Sequence, residues 1–245
     1  MPLRRSVPLD YLGSMLRCLA AFVLPVVLVG CSCLPAAPAE LECTLVVLAT
    51  GPRTVPLTAE ERTKVFGGHF ANMERLAREG QLLVAGPYGK EKSDPARRGL
   101  FVLDTKDAAR AKELAETDPG FLAGVFRLEY HSLTTTAPLR AQLAKDLAAA
   151  DAIKASGRTP APGEGGRGYV LLTASDGAAA SAALAKHPAV LIAARIGGNH
   201  AMFWLDAKDA AAARAAIADC SAALGTFTLD EWFGSGLLAE LRGGV

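Results

Sequence analysis

Two stretches decide how this chain folds: Gly99-Leu-Phe-Val-Leu-Asp-Thr-Lys-Asp107 and Ala201-Met-Phe-Trp-Leu-Asp-Ala-Lys-Asp209. They share Phe, Leu-Asp and Lys-Asp at the same spacings, and each opens with an apolar run that predicts a buried strand. Three further segments recur in the same order. Gly168–Ala174 echoes the strand Thr44–Thr50, Ala189–Arg195 echoes Gln81–Pro87, and Gly225-Thr-Phe-Thr-Leu229 echoes Gly124-Val-Phe-Arg-Leu128. Matching segments in one order predict an internal duplication whose units bury their faces against each other.

Outward from the first stretch, the first unit reads as six elements. Thr44–Thr50 is a β-branched strand ended by Gly51-Pro52. Thr58-Ala-Glu-Glu61 starts a helix with a capping Thr and acids in the first turn. That helix runs to about Arg78, where Gly80 stops it, and its apolar stripe is Phe66, Phe70, Met73 and Leu76. Strands follow at Gln81–Ala85 and Gly99–Asp104, then a helix at Lys106–Thr117 closed by Asp118-Pro119, then a strand at Leu122–Tyr130. The order βαββαβ predicts an α+β class, a ferredoxin-like antiparallel sheet with helices on one side. Two such repeats pair their sheets as an intrachain α+β barrel. A helix at 134–156, striped by Leu139, Leu143 and Leu147, straps one half to the other. Thr159–Gly168 is a connector, and its glycines follow a helix and open a strand, the reverse of a phosphate loop.

The second repeat is abbreviated. Leu45 to Val84 spans 39 positions, whereas Val170 to Ile192 spans 22, and the missing length falls in the first helix. Arg195 replaces Pro87. Asp219 answers Asp118, with no histidine expected beside it.

The N-terminus reads as an export signal. Arg4, Arg5 and Arg17 precede an apolar run, Leu19–Val29, of 11 residues that contains Pro25. A membrane span needs roughly 20 apolar residues, whereas a signal-peptide core needs only about 7–15. Leu28-Val29-Gly30-Cys31 then matches a lipobox, in which the cysteine thiol receives diacylglycerol. The expected plan is a signal peptide at 1–30 (starting at Met1 or Met15), a Pro/Ala tether at 31–42, repeats at 43–133 and 168–234 around a strap and linker at 134–167, and a tail at 235–245. The mature chain would sit in the cell envelope on the exported side of a membrane, held by lipid on Cys31. In an oxidising compartment Cys33, Cys43 and Cys220 allow one disulfide, with its partners open.

With 26 basic and 25 acidic residues the net charge is +1, which gives no broad electrostatic reason to bind nucleic acid. No CxxC pair or Cys/His spacing suggests a metal, no motif implies a cofactor, and no Gly-x-Ser-x-Gly supports a hydrolase triad. Lys90, Lys92, Arg97 and Arg98 make one hairpin loop basic, but Glu91 and Asp94 dilute it to a solvated loop. Tandem fusion supplies the partner half within the chain and points to a monomer.

Over about Cys43–Leu133 the first repeat resembles the YCII family of dimeric α+β barrels. The resemblance rests on His69 in the first helix, Arg78-Glu-Gly-Gln-Leu-Leu-Val-Ala-Gly-Pro87, and Ala115-Glu-Thr-Asp-Pro-Gly-Phe-Leu-Ala-Gly124. It implies a His–Asp acid/base pair in a cleft. His69 would be the general acid/base, because an imidazole titrates near neutral pH. Asp118 would orient it, Gly86 and Pro87 would shape the wall, and Arg195 would reach in from the second half. The substrate would be a small cyclic or phenolic compound undergoing elimination, isomerisation or lactone chemistry. The competing reading is a non-catalytic ligand-binding or structural envelope lipoprotein, with His69 sealed in the core.

Overall fold

A computed structural model describes residues 39–161 and 163–241. The signal segment, Cys31 and Cys33 lie outside them. No helix among the described residues is long and apolar enough to cross a membrane.

Repeat 1 comprises β1 (Leu41–Thr50), α1 (Ala59–Arg78), β2 (Leu82–Pro87), β3 (Arg97–Leu103), α2 (Ala108–Ala115), α3 (Pro119–Leu122) and β4 (Phe126–Thr135). After α4 (Leu139–Ala155), repeat 2 runs β5 (Gly166–Ala174), α5 (Gly177–Leu184), β6 (Val190–Ile196), β7 (His200–Leu205), α6 (Ala210–Ala216) and β8 (Phe227–Ser235). The strands form one antiparallel sheet of eight, ordered β2-β3-β1-β4-β6-β7-β5-β8. Within each half the fourth strand lies beside the first, then the third, then the second, which is the ferredoxin-like order. The halves meet twice, each time second strand to fourth. Leu133–Thr135 of β4 pairs with Ile196–Ala194 of β6. At the other seam Tyr88 bridges Trp232, Gly89 N–H donates to Glu231 O at 2.7 Å, and Glu231 N–H donates to Glu91 O at 2.8 Å. The sheet therefore closes, almost completely, into a barrel, which removes its exposed edges.

Strand alternation sends one face inward and the other beneath helices. Leu45, Val102, Tyr169, Leu171, Trp204 and Trp232 share the interior cluster. Val46, Leu48 and Phe101 pack under α1 and α2, while Val170, Leu172 and Phe203 pack under α5 and α6. With both faces covered, β1 and β5 read as continuous apolar runs rather than alternating ones. Leu45 is thus the counterpart of Leu171, and the equivalence of Leu45 with Val170 expected from sequence is one residue out of phase. The strap is shorter than 134–156, because residues 133–135 remain strand to pair with β6. Leu139 and Leu143 of α4 join Leu238 and Leu241 of the C-terminal 3-10 turn (Gly236–Leu241) in covering the interior cluster.

Candidate functional site

The site begins with α1. Thr58 and Glu61 form a reciprocal capping box, which fixes where the helix starts. From that start, Phe66, His69 and Met73 fall on the face turned to the sheet, and His69 is only 8% exposed. Two glycines precede it inside the helix, where glycine costs about 1 kcal/mol relative to alanine. Gly68 has a reason: a Cβ there would stand 3.0 Å from Pro119 Cγ. The glycine lets α1 close on α3 and brings His69 within reach of Asp118.

Asp118 is not the end of α2, as the sequence suggested. It is the N-cap of α3, with Pro119 at the first helical position. Its Oδ1 accepts the Gly120 N–H at 2.7 Å and the Phe121 N–H at 3.4 Å, and its Oδ2 lies 2.6 Å from His69 Nδ1. The carboxylate is fully buried, and a Cβ on Gly120 would strike the Phe126 ring at 2.5 Å. A carboxylate that takes two amide protons on one oxygen can only accept on the other. His69 therefore donates from Nδ1, which leaves Nε2 as the free lone pair of the neutral ring. Phe101 stacks on the imidazole at 6.0 Å between centroids, and Phe126 and Phe70 lean on it at 5.4 Å.

His69 lines a cleft of about 680 Å³, within the roughly 300–1,000 Å³ of small-molecule sites. Every lining residue belongs to repeat 1. The walls come from β1, α1, the strand ends at Gly86-Pro87 and Arg98-Gly99, and the loop Arg53–Leu57. Gly86 has a further constraint. A Cβ there would lie 2.0 Å from Phe233 O and 2.6 Å from the Trp232 ring, so the glycine seats β2 against β8.

Four of the residues named from sequence thus lie at one place: His69 and Asp118 as a bonded pair, Gly86 and Pro87 in the cleft wall. Arg195 does not. It lies on β6, 62% exposed in its side chain, and forms a two-pronged ion pair with Glu40 at 3.0 and 3.1 Å. The echo with Pro87 placed it at the β4–β6 seam, which the barrel's twofold arrangement sets apart from the cleft. The reading that no histidine accompanies Asp219 also needs correction, since His187 Nε2 approaches Asp219 Oδ1 at 3.9 Å. That histidine comes from the α5–β6 connection, and Asp219 is 79% exposed, so the pair does not reproduce the first.

Sequence reasoning passed over Arg62 and the loop Arg53–Leu57. Counting back along α1 from His69 by one helical turn reaches Phe66, and by two reaches Arg62, so the spacing carried the signal. Among the described residues one group could bring metal ligands together. His187, Asp219 and Cys220 bring ligand atoms within 4.8 Å of one another. His187 Nδ1, however, accepts the Ala189 N–H at 3.2 Å, which keeps the ring proton on the nitrogen that would have to ligate. Among the described residues Cys43 and Cys220 form no disulfide, and Cys33, the third candidate for pairing, lies outside them. Burial, then the neighbouring Asp104 carboxylate, pushes the Cys43 thiol up to about 12, too high to serve as a nucleophile at neutral pH.

Comparison with known families matches residues 45–131 to the YCII-related domain. Repeat 1 is a YCII-related domain. The match spans β1 to most of β4 and contains both His69 and Asp118, while repeat 2 lies beyond it. Members of the family form α+β barrels and have no settled function. No curated protein matches the chain.

Proposed function

We propose that the YCII-related domain uses its cleft for proton transfer on a small cyclic or phenolic compound: an elimination, an isomerisation or a lactone-type rearrangement. The observation that carries this reading is the 2.6 Å contact from a fully buried carboxylate to a histidine that faces a cleft. Nε2 of His69 takes a proton from the bound compound and returns it to another atom or to a leaving group. Asp118 holds the ring in the required tautomer and stabilises the imidazolium formed in between. The apolar walls exclude water around the reacting atoms. Gly86 and Pro87 bound the space that a ring can fill.

The test incubates the full chain in D2O with a panel of phenols, lactones and cyclic ketones, and follows deuterium uptake and product by NMR. Turnover should fall by about 100-fold or more in His69→Gln and in Asp118→Asn. A ligand that binds without exchange or product, or equal rates in wild type and His69→Gln, would replace catalysis with a ligand-holding role.

The same proposal places the domain in the cell envelope, tethered by lipid on Cys31. The charged-then-apolar segment ending in Leu28-Val29-Gly30-Cys31 supports it. Cys31→Ser should leave the precursor at full length in a cell that processes lipoproteins. Normal maturation of that variant would remove the anchor from this reading.

A further inference from the structure

The described residues include thirteen arginines, and ten of them reach a carboxylate within 4.0 Å. Arg62, Arg98 and Arg214 do not, and two of those three line the cleft. Arg62 forms no side-chain hydrogen bond or ion pair among the described residues. Arg98 donates its Nε to a hydroxyl, Thr50 Oγ1, at 2.9 Å, which orients the guanidinium and leaves both terminal nitrogens without a partner among the described residues. Among the described residues no Asp or Glu lines the cleft, although the chain as a whole is nearly neutral. The remaining wall is mostly aliphatic and aromatic. The cleft is therefore a local concentration of unopposed positive charge around an apolar floor.

We infer that the cleft takes its ligand as a ring-bearing carboxylate, with Arg62 and Arg98 as the anion-binding groups and the ring lying against the phenylalanines around His69. The inference rests on the small-molecule reading of the cleft and adds the charge of its ligand. Planar guanidinium forks match a carboxylate in geometry as well as charge. A phosphate would call in addition for backbone N–H groups at a helix start. The start of α1 is already occupied, because Glu61 Oε2 accepts the Thr58 N–H at 2.8 Å and Thr58 Oγ1 accepts the Glu61 N–H at 3.2 Å. Holding the carboxylate on the arginines leaves the ring's C–H and leaving-group positions to Nε2 of His69.

Titration calorimetry on the full chain tests this with benzoate, 2-naphthoate, their neutral amides and phenyl phosphate. The carboxylates should bind at least about tenfold more tightly than the amides. Arg62→Gln and Arg98→Gln should each weaken carboxylate binding by about tenfold, in keeping with one charge-assisted contact, and leave amide binding unchanged. Both side chains are solvent-facing, so the variants should retain the fold, checked by an unchanged Tm. Equal affinity for acid and amide, carboxylate binding indifferent to both arginines, no binding by any probe at millimolar concentration, or tighter binding of phenyl phosphate than of benzoate would each overturn the proposal. His69→Gln, measured for both binding and exchange, separates the two readings. Arginine-dependent binding without His69-dependent exchange sinks only the catalysis, and the converse sinks only the carboxylate.

Discussion

The two repeats fold alike and differ in what they can hold. In both, an Asp four residues beyond the third strand caps the next helix: Asp107 accepts from Ala109 and Arg110, and Asp209 accepts from Ala212. Both enter their last strand through a glycine at positive φ, 70° at Gly124 and 64° at Gly225. These shared features are what the barrel needs. The first helix is another matter, with 20 residues in α1 and 8 in α5. Repeat 2 has Asp219-Cys220-Ser221 where repeat 1 has Asp118-Pro119-Gly120. It packs its helix-side core with no buried, hydrogen-bonded His–Asp pair among the described residues, since His187 and the exposed Asp219 stand 3.9 Å apart. Half a barrel can thus be made without the long helix, the glycine before the histidine or the capped aspartate. In repeat 1 all three occur together beside the cleft.

That contrast can be broken, most forcefully at the two aspartates. Asp118→Ala strands the Nδ1–H of His69 and two amide donors of α3 in the interior, and should cost about 3 kcal/mol in urea unfolding. Asp219→Ala, at an exposed position, should change stability by less than about 0.5 kcal/mol. Comparable losses would mean that the second aspartate matters as the first does. Next comes the seam. Gly86→Ala forces a methyl into Phe233 O and Trp232 and should cost about 1–3 kcal/mol, lowering Tm by several degrees. Its counterpart Ala194 already carries a Cβ, and Ala194→Gly should cost only about 1 kcal/mol. A smaller contrast concerns helix endings. Gly80 (φ 71°) follows α1, whereas Lys186 (φ 61°) follows α5 and bears the strain of a side chain in the left-handed region. Lys186→Gly should stabilise by up to about 1 kcal/mol in thermal unfolding.

The smallest effect is a pH dependence at Asp146 on the strap. Burial raises its carboxyl above the ordinary range, against hydrogen bonds from Ser235 and Gln142 that lower it. The folded state thus disfavours the charged form, so its contribution is most favourable in acid and is lost as pH rises through the folded value. Asp146→Asn should melt slightly higher than wild type at pH 7 and together with it near pH 3. A gap that widens in acid would show that the hydrogen bonds outweigh the burial.

The alternation of strands and helices was legible because both repeats print it, and the duplicated Leu-Asp…Lys-Asp run marked the register of the third strands. Where the reading slipped, non-local partners had decided the outcome. Leu122 looked like the start of a strand, but it is 71% exposed on a one-turn helix that Asp118 caps. Residues 133–135 looked like the approach to a helix, yet β6 makes them strand. His69, Asp118, Gly86 and Pro87 could be gathered from sequence through a family pattern that names them together. Arg195 was assigned by internal echo, which equates positions in the two halves but does not say which seam each one faces. The cleft arginines escaped because charge was summed over the whole chain, where their excess cancels against acids elsewhere.

The strap α4 changes the order of the closing reaction. Two separate half-barrels would meet by collision, and their seams would open on dilution. With residues 139–155 joining them, Tyr88 finds Trp232 within one molecule, at an effective concentration set by the linker. Barrel closure should then be first order, with an unfolding midpoint indifferent to how sparsely the protein is distributed.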